Sequence, residues 1–232
     1  MAHPRSDGTT QDLSEIERLT PTADGWHDEQ QVATYLGRVD KLAPRIAGED
    51  LLSELLPAKP SRVLDLGAGD GRLTALALSH RPTIHEAVLL DNSEPMLERA
   101  RERFAKDRRV RILNHDIRDP IPDLGPFDLI VSGLAVHHLE HSRKRAIFEE
   151  LFARLNPGGL FANLDVVASA TPALHADFLA ALRRDADDPE DRLAPIEDQL
   201  KWMRATGLAN VDCLWRWRGL ALMVGVRPEL AQ

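Results

Sequence analysis

The stretch SRVLDLGAGDGRLTALAL, residues 61–78, combines one carboxylate with three glycines at every second position. A short apolar run leads to Asp65, the glycines Gly67, Gly69 and Gly71 follow, and a helical pattern comes next. Glycine lets a backbone turn tightly and approach a ligand without a Cβ in the way. The stretch therefore predicts a ligand site at a strand end, and its carboxylate suits a ligand that carries an ammonium group.

The spacing of these glycines argues against two kinds of phosphate-binding loop. A P-loop needs Gly-Lys-Ser/Thr, which GAGDGRL lacks. A dinucleotide fingerprint, G-x-G-x-x-G, needs its third glycine where Arg72 stands. Two structural alternatives remain open: the glycines serve only a tight turn, or Asp65 is a buried acid that orients the loop by bonding its amides.

The elements that must position this loop alternate between strand and helix patterns. Strands are predicted at RVLDLG, EAVLLD, VRILNHD, FDLIVSGLAV and LFANLDVV, and helices at GRLTALALSH, SEPMLERARERFA and SRKRAIFEELFARL. This alternation indicates parallel βαβ units with helices on both faces. Near the end of the sequence, NVDCLWRWRG and LALMVGV are joined by a tight turn, so this last strand pair must be antiparallel.

The segments outside the alternation differ in character. Residues 1–24 are polar and predict a flexible arm, and residues 25–57 predict helices that are broken near Pro44 and Gly48. The main domain is predicted at 58–232, with a helical insertion at about 168–193. An open parallel sheet binds ligands beyond the carboxyl ends of its strands, where strand order reverses.

The composition narrows the choice of partners. The 232 residues, 43% hydrophobic and 28% charged, suit one α/β domain with its own core. A net charge of −8 gives no general attraction to phosphate backbones, so nucleic acid is not expected as a partner. One cysteine, no apolar signal segment and no apolar run near the ~20 residues that span a bilayer predict a cytoplasmic protein without a membrane partner.

At VLDLGAGDG the sequence resembles the first motif of the class I S-adenosylmethionine-dependent methyltransferases. The resemblance covers about residues 60–167, including FDLIVSGLAVHHLEH and LNPGGLF, and extends to the two-strand tail. It implies a Rossmann-like α/β sheet of seven strands, six parallel and one reversed, with residues 25–57 as a helical lid. It also implies S-adenosyl-L-methionine as cofactor and S-adenosyl-L-homocysteine as product.

The resemblance also implies roles for residues at the strand ends. Asp91 takes the place of the acid that holds both ribose hydroxyls, and Asp116 that of the acid that accepts the adenine amino group. The full cofactor-binding set predicted in this way is Asp65, Gly67, Ala68, Gly69, Gly71, Asp91, Asn92, Met96, Asp116, Ile117, Ser132, Tyr35 and Arg38.

Several of these roles have a structural alternative. Asp91 can be an acid favoured by the dipole at a helix N-terminus. Asp119 competes with Asp116, and HDIRDP can also be an ordinary turn. Met96 can belong to a helix core. Tyr35 and Arg38 would hold the methionine carboxylate from the lid, or lie on a surface helix whose aromatics pack on the sheet.

His137 and His138 follow the fourth predicted strand, where the resemblance places the methyl acceptor. An imidazole titrates near neutrality, so one of the two is a candidate general base. The alternative is that one packs beneath the loop while the other bonds backbone. No further ligands are evident for a metal at this pair, so no metal is predicted.

The region SGLAVHHLEHSRKRAIFEELFARLNPGGLFANLDVV is similar to small-molecule methyltransferases and to carboxy-S-adenosylmethionine synthases, which act in tRNA modification. SGLA stands where nucleic-acid base N-methyltransferases have Asn/Asp-Pro-Pro-aromatic, which disfavours that activity. The sequence thus predicts a methyltransferase for a small organic acceptor. A carboxy-S-adenosylmethionine synthase-like enzyme and a catalytically silent cofactor-binding protein are the alternatives.

Overall fold

The computed structural model describes residues 25–229, so the predicted arm at 1–24 lies outside the described residues. Seven strands form one sheet: β1 Arg62–Leu66, β2 Glu86–Asp91, β3 Val110–Asn114, β4 Phe127–Gly133, β5 Leu155–Val166, β6 Ala209–Trp217 and β7 Leu220–Val226. Their spatial order is β3-β2-β1-β4-β5-β7-β6. β7 runs antiparallel to both β5 and β6, and the other pairings are parallel. This confirms the predicted Rossmann-like sheet with one reversed strand.

Seven α-helices accompany the sheet in the described range: α1 Glu29–Val39, α2 Ala43–Leu55, α3 Arg72–His80, α4 Glu94–Arg103, α5 His141–Arg154, α6 Pro172–Ala181 and α7 Ile196–Ala205. Short 3-10 helices lie at Gly25–His27 and Val136–His138. None of the helices in this part of the chain is long and apolar enough to cross a membrane.

Two details of the predicted elements were wrong. Gly48 lies inside α2 rather than at a break, and a Cβ there would come within 2.7 Å of Leu164. Glycine at this position lets α2 approach the sheet closely. The strand predicted at FDLIVSGLAV ends at Gly133, because Leu134 adopts a left-handed backbone with φ 54° and a 3-10 helix begins at Val136.

The core has two halves, one on each face of the sheet. Successive strand residues point to opposite faces, so Leu64 packs with α5 and α7, whereas Val63 packs with α2 and α3. The helices therefore cover both faces, as the alternating pattern predicted. Strand order reverses between β2-β1 and β4-β5, which places a crevice beyond the carboxyl ends of β1 and β4.

The chain between β5 and α7 contains α6 and a loop. After α6 the loop returns to the segment just beyond β5, where Ala168 and Pro195 form an isolated parallel bridge. On the way, the amide of Arg192 donates to the carbonyl of His137 at 3.0 Å. The loop is therefore held against the segment that follows β4.

Candidate functional site

A cavity of about 460 Å³ lies beyond the carboxyl ends of β1, β2, β3 and β4. The loop after β1 forms its floor, and the ends of β2 and β3 form one wall. The segment from Gly133 to Glu140 forms the opposite wall, and the N-terminal helices cover it. Its lining residues include Gly67–Asp70, Asp91–Ser93, Met96, His115–Arg118, Gly133–Ala135 and His138–Glu140.

Two of the three loop glycines face this cavity. Gly67 and Gly69 have left-handed backbones, with φ of 63° and 54°. A Cβ on Gly67 would clash with Ala135, whereas on Gly69 its nearest atom would be the sulfur of Met96 at 3.7 Å. No side chain therefore separates the backbone of Gly69 from the cavity.

Gly71 does not line the cavity, contrary to its predicted binding role. It precedes α3 with φ 78°, and a Cβ there would clash with Phe104 and lie 3.0 Å from Leu89. The glycine is needed for the turn into α3 and for packing against α4.

Asp91 ends β2, and its carboxylate is held in place by two backbone amides. One oxygen accepts from the amide of Gly69 and the other from the amide of Ser93, each at 2.8 Å. Each carboxylate oxygen has two acceptor sites, so both keep capacity toward the cavity that Asp91 lines. Burial raises the pKa of Asp91 above its ordinary value.

The segment after β3 contributes Asp116 and Ile117 to the cavity, whereas Asp119 does not line it. The side chain of Arg118 binds the Asp116 carboxylate, with Nε at 2.8 Å from one of its oxygens. Burial favours a higher pKa for Asp116, but the hydrogen bonds and charge of Arg118 outweigh it and hold the pKa below its usual value. Asp116 is thus ionised and paired with Arg118 at the cavity wall.

Asp65 and Ser132, two residues of the predicted binding set, do not line the cavity. Strand alternation turns Asp65 toward α3, where one of its oxygens accepts from the amide and hydroxyl of Thr74 at 3.0 and 2.7 Å. Burial raises the pKa of Asp65 to about 7. The Ser132 hydroxyl donates to the carbonyl of Leu66 at 2.8 Å, which ties β4 to the end of β1.

The N-terminal helices cover the cavity with Trp26, Tyr35 and Arg45. The rings of Trp26 and Tyr35 meet edge to face at 5.1 Å, and the Trp26 carbonyl accepts from the hydroxyl of Ser93. Burial raises the pKa of Tyr35 to about 12, so its phenol stays protonated.

Arg45, rather than the predicted Arg38, is the arginine of this region that lines the cavity. Its Nε donates to Glu49 at 2.8 Å, and Glu49 also binds Arg72 at 2.6 Å. Both arginines lie in the N-terminal helices without a motif around them. Only the packing of α2 against α3 shows which one reaches the cavity.

The two adjacent histidines have different surroundings. His137 is 5% exposed and does not line the cavity, and its Nδ1 lies 2.6 Å from an oxygen of Asp165. Burial lowers the pKa of His137, but Asp165 outweighs burial and raises it overall. His138 lines the cavity, and burial, reinforced by His137, lowers its pKa to about 2.

Sequence reasoning missed Asp191, which the loop after α6 brings to the histidines. One of its oxygens lies 3.6 Å from His137 Nε2 and 3.5 Å from His138 Nδ1. More than fifty positions separate Asp191 from these histidines in the sequence, and no motif links them. The contact follows only from the path of the loop.

Comparison with known proteins agrees with this architecture. Residues 63–159 match a family model described as "Methyltransferase domain". An uncharacterized methyltransferase of Mycobacterium tuberculosis (strain ATCC 25618 / H37Rv) is 37% identical over 125 residues, which are 53% of this chain and 58% of the relative. A carboxy-S-adenosyl-L-methionine synthase of Actinobacillus succinogenes is 32% identical over 156 residues, 62% of this chain and 61% of the relative.

The fold has close structural counterparts. An O-methyltransferase family protein from Burkholderia thailandensis superimposes with a TM-score of 0.74 and 22% identity, over 94% of this chain and 67% of that one. The chain spans about three fifths of the length of the two curated relatives named above. Residues 63–159 are therefore similar to a methyltransferase domain, and the chain has the fold of this solved O-methyltransferase family structure.

Proposed function

We propose that this chain transfers a methyl group from S-adenosylmethionine to a small organic acceptor. The observation that carries the proposal is the fixed position of the Asp91 carboxylate. It is bonded to the amide of Gly69 and opens onto the same cavity as Asp116 and Ile117. The carboxylate that suits a diol and the carboxylate that would take an amino group, here paired with Arg118, thus lie along one wall of the cavity.

The residues present fit this cofactor in several respects. The free acceptor sites of Asp91 suit two vicinal hydroxyls, and the side chains of Met96 and Ile117 offer apolar surface to a ring. The bare backbone at Gly69 leaves room for close approach. Arg45 is the cation best placed to receive the methionine carboxylate, with Tyr35 beside it in the cavity lining.

When bound, the cofactor supplies a methyl group on a positively charged sulfur, which is an electrophile toward oxygen, nitrogen or carbon. The chain's own contribution is to align the acceptor and to exclude water. Alignment of this kind supplies up to ~7–11 kcal/mol in well-oriented cases. Trp26 and Tyr35 close the cavity above, and Leu134 and Leu139 add apolar surface on the wall after β4.

The histidine pair is the candidate for a general base, and the surroundings of each ring bear on that role. A base works best when its pKa is near the working pH, and the pKa of about 2 makes His138 a weak one. His137 has a raised pKa but does not line the cavity. These observations favour alignment as the main source of rate acceleration.

The charges around the cavity disfavour the carboxy-S-adenosylmethionine synthase alternative. That activity needs a cation to seat an additional carboxylate near the methyl position. Apart from Arg45, which is assigned above to the methionine carboxylate, the arginines that line the described cavity have carboxylate partners outside the cofactor, in the pairs Arg118–Asp116, Arg143–Glu150 and Arg192–Glu140. A neutral, partly apolar acceptor suits this lining better.

Two measurements test the proposal. Calorimetry should show binding of S-adenosylhomocysteine and no binding of NAD. A panel of small hydroxyl, amine and carbon acceptors should then yield at least one methylated product in the presence of S-adenosylmethionine. Binding of NAD without a response to S-adenosylhomocysteine would overturn the proposal, whereas cofactor binding without any product would favour the catalytically silent alternative.

A further inference from the structure

We propose that His137, His138 and Asp191 form a binding site for a divalent transition metal ion, with zinc as the expected occupant. The site lies below the wall of the cavity, between the 3-10 helix after β4 and the loop after α6. Among residues 25–229 these three side chains form a group whose ligand atoms all lie within 4.8 Å of one another. The proposal stands independently of methyl transfer.

The distances between the Asp191 oxygen and the histidine nitrogens are too long for good hydrogen bonds. They suit atoms that bind the same metal ion. The Asp191 oxygen lies 3.6 Å from His137 Nε2 and 3.5 Å from His138 Nδ1. Both distances exceed the 2.7–3.2 Å of a good N–H···O bond. Zinc binds nitrogen and oxygen at about 2.0–2.2 Å, so ligand atoms in a tetrahedral site lie roughly 3.3–3.5 Å apart.

Unpaired polar atoms mark the same place. The Asp191 oxygen that faces the histidines is buried without a hydrogen-bond partner, and so are both ring nitrogens of His138. The backbone of Glu190 approaches the His138 ring, but neither ring nitrogen reaches hydrogen-bond geometry. Buried polar atoms in folded proteins normally have partners, and one ion would satisfy Asp191 and one nitrogen of His138 together.

The groups around these ligands orient them as metal ligands are usually oriented. Asp165 binds His137 Nδ1 at 2.6 Å, which makes Nδ1 the protonated nitrogen and leaves the lone pair of Nε2 for the ion. A carboxylate behind a ligating histidine is the common arrangement in metal sites. The site therefore has an outer partner already in place.

Lys144 fixes the two chain segments that carry the ligands. Its ammonium group donates to the carbonyls of His137 and Arg192 at 3.1 and 2.7 Å. One ligand segment and the residue next to Asp191 are thereby joined through a single buried side chain. Three protein ligands leave one position of a tetrahedral ion, and His138 lines the cavity, so that position would admit water or an acceptor atom.

The test is metal binding by the full chain without an affinity tag. Protein freed of metal with a chelator is titrated with Zn²⁺ against a chromophoric chelator, and bound metal is measured by elemental analysis. One equivalent should bind to the wild type, and this binding should be lost in His138→Ala and in Asp191→Asn. Asp165→Asn should bind about 10–100-fold more weakly, the usual effect of removing an outer partner.

Asp187→Asn is the matched control, because it changes another aspartate of the same loop. Asp187 pairs with His175 at 2.8 Å, away from the proposed ligands. This variant should keep the full equivalent of zinc. Co²⁺ added to the wild type should show the visible absorption of a tetrahedral site, and this absorption should be absent in Asp191→Asn.

Wild-type protein that binds no zinc would overturn the proposal. So would equal binding by the wild type and folded Asp191→Asn, because the ion would then lie elsewhere in the chain. Circular dichroism and thermal unfolding establish that each variant is folded. If His138→Ala fails to fold, Asp191→Asn and the Co²⁺ spectrum still decide the question.

Discussion

The two sides of the cavity are built differently. On the side of β1, β2 and β3, side chains at strand ends bond to backbone close by, as when Asp91 accepts from the amide of Ser93 two positions on. On the side of β4, His137 meets Asp165 from the end of β5 and Asp191 from the loop after α6. Sequence motifs therefore specify the first side of the cavity, whereas the second side depends on which distant segments pack together.

This difference teaches where a motif is informative. A motif specifies backbone geometry and one or two side chains within the same turn. It carries no information about residues that arrive from fifty positions away. Substitutions of Gly69 and Asp91 on the first side should therefore act on cofactor affinity in ways that the sequence already indicates. Substitutions of Asp65 and Arg45, whose contacts only the tertiary structure shows, sharpen the comparison.

The largest effect is expected from Gly69→Val. Gly69 has φ 54°, a region that β-branched residues avoid, and its missing Cβ leaves the backbone open toward the cavity. S-adenosylhomocysteine binding should be abolished in calorimetry. Gly37→Val is the control, because nothing lies within 4 Å of a Cβ at this glycine of α1, and its affinity should match the wild type. Retained binding in Gly69→Val would mean that the loop is only a turn.

Asp65→Asn should change the pH dependence of stability. Burial raises the pKa of Asp65 to about 7, against about 4 in the unfolded chain. Between these values the folded state binds the extra proton, so this group makes the wild type less stable as the pH rises.

Asparagine cannot ionise, so the variant does not lose stability in this way as the pH rises. The difference in free energy of unfolding, Asp65→Asn minus wild type, should therefore change with pH. It should increase by up to ~4 kcal/mol from pH 4 to pH 8. Denaturant unfolding at a series of pH values measures this difference. A difference that is flat with pH would show that Asp65 has the same pKa in the folded and unfolded states.

Asp91→Ala should weaken S-adenosylhomocysteine binding by about 1.5–3 kcal/mol, the range for hydrogen bonds to a charged group. The fold should survive, because Asp91 lies at a strand end. Asp119→Ala removes an acid that does not line the cavity and should leave the affinity unchanged. Equal affinities for all three proteins would contradict the proposed contact with the ribose.

The smallest effect is expected from Arg45→Lys, which keeps the charge but loses the planar donor pair of the guanidinium. A loss of about 1 kcal/mol in S-adenosylhomocysteine affinity is expected, the size of one ordinary hydrogen bond. Arg38→Lys, in a residue that does not line the cavity, should bind as the wild type does. The opposite ranking of the two variants would restore the role first predicted for Arg38.

Much of the fold was predictable because its signals are local. The apolar runs, Ser93 before α4 and the tight turn between β6 and β7 each specify an element from neighbouring residues. The break predicted at Gly48 was wrong, because the sequence does not distinguish a glycine that ends a helix from a glycine that lets another side chain pack closely against the helix. Leu164, which explains Gly48, is distant in the chain.

For this protein, the sequence by itself determined the parallel sheet with one reversed strand, the glycine loop and the acids at the ends of β2 and β3. These follow from side-chain periodicity and backbone conformation, which are short-range properties. Only the tertiary structure decided that Asp65 points to α3, that Arg45 rather than Arg38 reaches the cavity, and that Asp191 meets the histidine pair. Such contacts depend on how helices and loops pack across the sheet, and many residues far apart in the chain determine that packing together.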